Sequence, residues 1–453
     1  MIVSFSVENF RSFAGEETFS LVASNKISGL EDHTVAIPGS SERVLRTAVL
    51  YGANGAGKSN LYRAIEYFKN MALLPRSKNS GTGREVFRFS EFENKLSSFD
   101  MQFIVGDKLY RYGFRTDDHR IAEEWLLHIN GTKEKVVFER ITTVAGEVTI
   151  EGKGLKSAGK KIEALATIGG PPNQTFLATI RATLAATDYG KELSSIFKWV
   201  EDSLQMISPQ ANFVHLGHLL SQDEEFQKFA SEFLRMSSTG VNHLEVNKRI
   251  LSEDDLKSLL KEPFVADILN NVKENGTAVF RLGDDAEVLV EKAEENNFYL
   301  LTIHAAHEHI PGKKVSLQLA DESDGTRRLL HLIPALHQLR TNGGVYVVDE
   351  IDRSMHPMLT LKFLEFFLKS CVGCHRQLII TTHESNLLNL DLLRRDEIWF
   401  AEKDKQGATR LYSLADFKIR KDLEIRKHYL QGRFGAVPFL GNIDRLLEED
   451  VTA

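Results

Sequence analysis

The chemistry of this chain is concentrated in Gly52-Ala53-Asn54-Gly55-Ala56-Gly57-Lys58-Ser59, which fits G-x-x-x-x-G-K-[ST]. Glycines let a backbone wrap an anion at dihedrals other residues resist. Amides of the turn and of the following helix start then point at a phosphate. Lys58 supplies a mobile positive charge for β- and γ-phosphates, and the Ser59 hydroxyl is the right size to ligate magnesium. Gly52, Asn54, Gly55, Gly57, Lys58, Ser59 and Asn60 are therefore the expected nucleotide-binding set. Far downstream, Val345-Tyr346-Val347-Val348-Asp349-Glu350 reads as a hydrophobic strand ending in two acids, a Walker B pattern. Asp349 is the expected second magnesium anchor beside Ser59. Glu350 is expected to orient and deprotonate an attacking water. Ile379-Ile380-Thr381-Thr382-His383 is another hydrophobic strand, and its terminal His is expected at the γ-phosphate. The expected catalytic residues are thus Glu350, His383 and Lys58, the metal ligands Ser59 and Asp349, and the cofactors ATP and Mg2+.

These residues need elements to hold them. Thr47 to Tyr51 reads as a buried strand, and Asn60 to Met71 as a helix with Leu61, Ile65 and Phe68 at helical spacing. The phosphate loop sits between the two, the context that gives its match meaning. Met1 to Val7 and Thr18 to Val22 alternate like strands. Phe99 to Val105, Lys108 to Arg115, Glu124 to Ile129 and Lys135 to Ile141 do the same, with Gly106-Asp107 and Asn130-Gly131 as turn signals. They predict an antiparallel β subdomain. From about Phe176 the spacing turns helical: Lys191 to Met206, Asp223 to Met236 and Glu253 to Lys273. Strand-like runs return at Ala278 to Leu282, Val288 to Lys292 and Phe298 to His304. The last third alternates helix and strand: Arg327 to Leu339, Gly344 to Val348, Leu359 to Lys369, Gln377 to Thr382, Ile398 to Glu402, Arg410 to Ser413. The expected division is a head half with β subdomain over 1–175, a mainly helical insertion over 176–305, and the second head half with a basic tail over 306–453.

The chain has 453 residues, 42% hydrophobic and 26% charged, so a mainly disordered chain is excluded. Its net charge of −7 argues against a dedicated nucleic-acid binder, which is more often basic. The basic tail (Lys418, Arg420, Lys421, Arg426, Lys427, Arg433, with Pro438 beyond) reads first as a solvated face. The start, Met1 to Glu8, does not look like a signal peptide, and no apolar run is long enough to span a bilayer. A cytoplasmic location and no membrane partner are expected. The two cysteines lie in Cys371-Val372-Gly373-Cys374-His375, the pattern of c-type haem attachment. With no export signal and no second pair for zinc, it reads as a turn between helix and strand.

Asp321-Glu322-Ser323-Asp324-Gly325-Thr326 precedes the helix starting at Arg327. As a local feature it is an N-cap. In the order phosphate loop, insertion, Ser-x-Gly helix start, Walker B, Ile351-Asp352-Arg353-Ser354 and His383, the chain resembles an ATPase of the ABC lineage, in the branch with the SMC and RecF proteins. It is similar to stand-alone bacterial "AAA family" ATP-binding proteins such as RloA and the ATPases of abortive-infection and PARIS-type phage defence. Glu8-Asn9-Phe10-Arg11-Ser12-Phe13, His356-Pro357, Arg394 to Trp399 and Tyr429 to Pro438 extend the resemblance over most of the chain.

The resemblance implies an α/β fold: an ABC-type P-loop NTPase head with an antiparallel β subdomain and a helical insertion. It implies two heads facing each other, with Ser323 and Gly325 of one copy against the nucleotide of the other, Asp352 near that interface, and Arg11 and Ser12 near the nucleotide. The Q-loop glutamine is not placed; Gln102 and Gln174 are the candidates. The insertion is too short for an SMC coiled coil, and no acidic nuclease cluster follows His383. The expectation is an ATP-hydrolysing switch, a homodimer or higher homo-oligomer, serving as the ATPase of an anti-phage defence system that controls a separate toxin or nuclease effector. The alternative is a RecF-like DNA-binding ATPase in repair; DNA is a partner class kept open but not favoured.

Overall fold

Alternation of apolar and polar residues builds the first sheet of the computed structural model. In Ile2–Glu8, Val3, Phe5 and Val7 are buried while Ser4, Ser6 and Glu8 keep partial exposure. This strand pairs antiparallel with Glu17–Ser20 on one side and Ser97–Val105 on the other. Lys108–Thr116, Ile121–Asn130, Lys133–Thr142 and Val148–Glu151 follow in order, completing a seven-stranded antiparallel sheet. Gly106 and Gly131, at φ 60°, turn two of its hairpins. The helix Lys58–Leu73 packs on it through aromatic rings: Phe68 lies 5.8 Å from Phe5, 5.3 Å from Tyr112 and 5.9 Å from Phe114, centroid to centroid. The expected β subdomain is there.

The second sheet has six strands in the order Leu204–Ile207, Gly344–Val348, Arg376–Thr381, Thr47–Tyr51, Ile398–Lys403, Thr409–Ser413. The first five run parallel and the last is antiparallel. Thr47–Tyr51 is buried at all five positions, the mark of a central strand covered on both faces. Parallel pairing brings the C-terminal ends of Thr47–Tyr51, Gly344–Val348 and Arg376–Thr381 to one edge. The strand leading to His383 lies between the other two.

The structure describes residues 1–437 except 78, 90–91, 214, 253, 256–257, 259–276, 283–285, 292–296, 311, 342, 371–374 and 420–422. The Cys371–Cys374 pair, most of the expected helix Glu253 to Lys273, Arg420, Lys421 and Pro438 fall outside the described residues. The chain divides into two units, the first holding Met1–Ile207, Gly343–Ile351 and Cys371–Ala453, the second Ser208–Asn342 and Asp352–Ser370. Both sheets above belong to the first, as do the helices Phe176–Thr183 and Lys191–Lys198.

The second unit carries the helices Leu216–Gln222, Glu224–Met236, Asp324–Thr341 and Pro357–Ser370. It also carries a five-stranded antiparallel sheet: Val241–Leu251, Asn297–Ile310, Ala286–Glu291 and Thr277–Leu282, with Lys313–Gln318 on Asn297–Ile310. The region read as a mainly helical insertion therefore holds helix and sheet together. Val241–Leu251 escaped the reading because a register shift between Val241 and His243 breaks its alternation, burying Val241 and then Leu244. Lys191 to Met206 is a second correction. The α-helix stops at Lys198, Trp199–Ser203 forms one turn of π-helix, and Leu204–Ile207 joins the parallel sheet. Trp199 stacks on Phe103 at 4.4 Å, and pairing with Val345 to Val348 overrides the helical pattern.

Candidate functional site

Val49, Leu50 and Tyr51 are fully buried, and the chain leaves them straight into the loop. Gly52 and Gly57 are there for space: a Cβ at Gly52 would sit 2.5 Å from the Ala401 carbonyl oxygen, and one at Gly57 2.1 Å from Thr409 Oγ1. Gly57 also takes φ 115°, and Gly55 φ 74°. Asn54 and Gly55 lie exposed on the rim, while Lys58 is buried. Its Nζ donates to the carbonyls of Gly52 at 2.8 Å and Ala53 at 3.1 Å, and to His383 Nδ1 at 3.4 Å. The expected cation and the expected His are thus brought together.

The next residue reaches the acidic strand. Ser59 Oγ donates to Asp349 Oδ1 at 3.2 Å. The same carboxylate oxygen accepts from Thr381 Oγ1 at 2.5 Å. Thr381 Oγ1 in turn accepts the Glu350 N–H at 2.8 Å, and the Ile351 N–H donates to the Thr381 carbonyl at 3.1 Å. The strand order explains the arrangement, since Arg376–Thr381 is the immediate neighbour of Gly344–Val348. Glu350 adopts φ 48°, a left-handed conformation uncommon outside glycine. Such strain persists where surrounding bonds over-determine it, and it gathers at active sites. Asp349 is buried and Glu350 half-exposed, so one acid is enclosed while the other can meet solvent.

A second cluster closes the other flank of the loop. Asn60 Nδ2 donates to Ser12 Oγ at 2.7 Å, and Arg11 Nη1 to Asn60 Oδ1 at 3.5 Å. Arg11 also pairs with Glu85 at 2.6 Å. The Thr409 hydroxyl lies 2.8 Å from the Ala56 carbonyl and 2.7 Å from Ser12 Oγ. Arg11 and Asn60 therefore sit together beside the loop. Thr381, Thr409 and Glu85 belong to the site and were not singled out from the sequence. The signal available for Thr381 was a hydroxyl within two residues of His383 at a strand end.

Ser323 and Gly325 lie in the second unit. Ser323 Oγ accepts the Thr326 N–H at 3.2 Å, the cap of the helix Asp324–Thr341. A Cβ at Gly325 would fall 2.6 Å from the Ser354 carbonyl oxygen, and Ser354 takes φ 60°. Both glutamine candidates make their pairings away from the phosphate loop. Gln174 Oε1 accepts the Arg76 N–H at 2.7 Å and its Nε2 donates to Thr179 at 3.0 Å, while Gln102 pairs with Ser4 and Arg111 inside the sheet.

The donor set fits a nucleoside triphosphate and a hard cation. Bare glycine backbone, a buried ammonium and two oxygen donors of different elements meet at one sheet edge. Magnesium is usually held by one or two protein oxygens plus phosphate. Among the described residues no cluster of three or more His, Cys, Asp or Glu side chains is placed to hold a metal by itself. Ser59 and Asp349 are the residues that would hold magnesium.

A glycine-bare loop, its lysine, and an acid pair across an inserted strand define a P-loop NTPase. A family model described as "AAA domain, putative AbiEii toxin, Type IV TA system" matches residues 48–141 and 216–389, more than half of the chain, and the chain belongs to this AAA family. Among solved structures it is similar to the SMC head domain from Thermotoga maritima, at 13% identity over 92% of this chain and 99% of that one, with a TM-score of 0.39. It is also similar to an Smc head bound to the C-winged helix domain of ScpA (14% identity, 91% and 97% covered, TM-score 0.38). A third is the Smc head domain with an extended coiled coil bound to the C-terminal domain of ScpA from Pyrococcus furiosus (12%, 91% and 96%, 0.36). No curated protein matches the chain. The fold is α/β, a P-loop NTPase core with an antiparallel β subdomain. Among the described residues no helix is long and apolar enough to cross a membrane.

Proposed function

We propose that this protein is an ATP-binding and ATP-hydrolysing switch, the ATPase of a bacterial anti-phage defence system that controls a separate toxin or nuclease effector. The observation that carries the hydrolytic part is the shared Thr381 hydroxyl, which holds Asp349 Oδ1 and the Glu350 N–H at once. It fixes the acid beside Ser59 and the acid that faces solvent in one frame. Gly52 to Ser59 wrap the phosphates, and Lys58 turns its ammonium from the loop carbonyls to them. Glu350 takes a proton from water as the water oxygen bonds the γ-phosphorus. The bond to the β–γ bridging oxygen breaks, releasing ADP and phosphate. Bound magnesium supplies charge neutralisation on the phosphates. His383, whose Nδ1 lies 3.4 Å from Lys58 Nζ, serves the γ-phosphate.

Two copies face each other in this reading, with Ser323 and Gly325 of one completing the site of the other. The family description, which names a toxin system, supports the defence role. Glu350→Gln tests the mechanism. The variant keeps ATP binding, loses turnover, and grows in mass by light scattering when ATP and magnesium are added. Hydrolysis by the variant at the wild-type rate would overturn the assignment of Glu350.

A further inference from the structure

We propose that the open face of the seven-stranded sheet docks an arginine-bearing segment of a partner protein, with Trp125 as the anchor. One face of this sheet is taken by the helix Lys58–Leu73, whose Phe68 packs on Phe5, Tyr112 and Phe114. Alternation sends Asp100, Gly113, Trp125 and Glu139 to the other face. Register sets them in a row over four adjacent strands: Asp100 opposite Gly113, Gly113 opposite Trp125, Trp125 opposite Glu139. The next row on that face runs Glu8, Ser98, Arg115, Glu123, Ile141. Together they floor a cleft of about 570 Å3, the size of a ligand cleft and not of a gap between side chains. Its wall is made by strands of this sheet and by Glu16, the residue before Glu17–Ser20; no other element contributes to it.

The floor is shaped to hold an indole. A Cβ at Gly113 would stand 2.5 Å from Trp125 Cζ2, so the bare strand is what admits the ring. Trp125 Nε1 donates to Asp100 Oδ2 at 2.9 Å. Arg111 Nε donates to both oxygens of the same carboxylate, at 3.0 and 2.9 Å. The ring is thus fixed across the strands, and Trp125 still keeps partial exposure and lines the cleft. Ile141, 61% exposed, adds an apolar contact in the neighbouring row.

Charge identifies the occupant. The two guanidinium groups on this face are already matched: Arg111 with Asp100 at 2.9 Å and Glu134 at 3.9 Å, Arg115 with Glu123 at 3.7 Å. Glu8, Glu16 and Glu139 also line the cleft, and none of them pairs with a cation among the described residues. Burial raises the Asp100 carboxyl above its ordinary value, and the charge of Glu16 adds to the rise. The surplus is therefore negative, and it repels nucleic acid. Among the described residues no three carboxylates stand close enough to hold a metal ion, so a single small cation does not answer to it. A chain bearing several arginines does, since it reaches acids set on different strands. A planar guanidinium both stacks on an indole and forks onto a carboxylate, which an ammonium does less well.

The test is fluorescence anisotropy of a labelled peptide of alternating arginine and serine, titrated with the full chain at low salt. A peptide of alternating glutamine and serine is the uncharged control. The wild type should bind the first and not the second. Removing three exposed ion pairs by Glu8→Gln, Glu16→Gln and Glu139→Gln together should weaken binding by about tenfold. Trp125→Ala should weaken it by about two- to fivefold, and Trp125→Phe, which keeps a ring, should recover most of that. Glu42→Gln, Glu163→Gln and Glu232→Gln together make the same charge change at exposed sites outside the cleft and should leave binding unchanged. Unchanged melting temperatures in both triple variants show that the fold is kept. A wild-type chain that ignores the arginine peptide would overturn the proposal. Equal losses in the two triple variants would overturn it as well, because the attraction would then belong to the net charge. Dimers of the wild type that vanish in the cleft variants would put a second copy on this face instead.

Discussion

Replacing Thr381 by Val removes one hydroxyl and keeps the shape. That hydroxyl donates to Asp349 Oδ1 at 2.5 Å and accepts the Glu350 N–H at 2.8 Å, and Thr381 is 2% exposed. A hydrogen bond to a charged partner contributes about 1.5–3 kcal/mol, and an unpaired buried N–H costs about 1–3 kcal/mol. Glu350 is half-exposed, so water repairs part of the second loss. A net destabilisation of about 3 kcal/mol follows. In a unit of this size it lowers the melting temperature by roughly 6 °C. The effect on turnover is larger, because Glu350 loses the bond that holds its left-handed backbone. A general base misplaced by about 1 Å costs about a hundredfold in rate. Phosphate release at saturating ATP, read beside a thermal melt, measures both. Thr381→Ser is the control: it keeps the hydroxyl and loses a methyl worth about 0.8 kcal/mol. Wild-type turnover in Thr381→Val would refute the reasoning. So would a Thr381→Ser variant as slow as Thr381→Val, since packing of the methyl would then be the cause.

Gly57→Ala should abolish ATP binding, because its Cβ would meet Thr409 Oγ1 at 2.1 Å and Cγ2 at 2.7 Å with φ at 115°; calorimetry checks it, and retained binding would mean the loop opens freely. The pH dependence at the alkaline end follows from Tyr67, whose phenol burial pushes up to about 12 from 10.0. A raised pKa means the folded state keeps a proton the unfolded state gives up. The stability it contributes is present below pH 10 and lost as pH rises through about 12, amounting to about 2–3 kcal/mol. Melting temperatures between these pH values should fall less steeply in Tyr67→Phe than in wild type, and identical slopes would remove Tyr67 from the account.

The phosphate loop and the two acids were legible because their chemistry is local: one short run fixes the glycines, the lysine and the serine. Thr47–Tyr51 and Gly344–Val348 were legible for a related reason, since central parallel strands are apolar without a break. Thr381 was not. A threonine in a strand reads as an ordinary β-former, and its role arises only because Arg376–Thr381 lies between the other two strands. Ser12 and Thr409 stand far apart in sequence yet meet at 2.7 Å, and no spacing could have paired them. Val241–Leu251 was hidden by its bulge, and Leu204–Ile207 by a helical pattern that its partner strand overrides. What stayed hidden was long-range pairing, where tertiary contact decides and local pattern is ambiguous.

The end of the strand Arg376–Thr381 touches both halves of the chemistry. Through Thr381 it holds Asp349 and the Glu350 backbone, and two residues on, His383 Nδ1 takes Lys58 Nζ at 3.4 Å. Lys58 also rests on two neutral carbonyls of its own loop. A charged phosphate oxygen is a stronger partner for an ammonium than a neutral carbonyl, by about a factor of two in bond strength. In the proposed mechanism, moving Lys58 to phosphate takes it off His383, two residues from the hydroxyl that holds the Glu350 N–H. That turn costs about 1–3 kcal/mol and stands only while its supports stand. Contacts at the end of this strand thus link the loop's lysine to the acid proposed as the general base. The switch proposed above would have its smallest working part there, in Thr381 and His383.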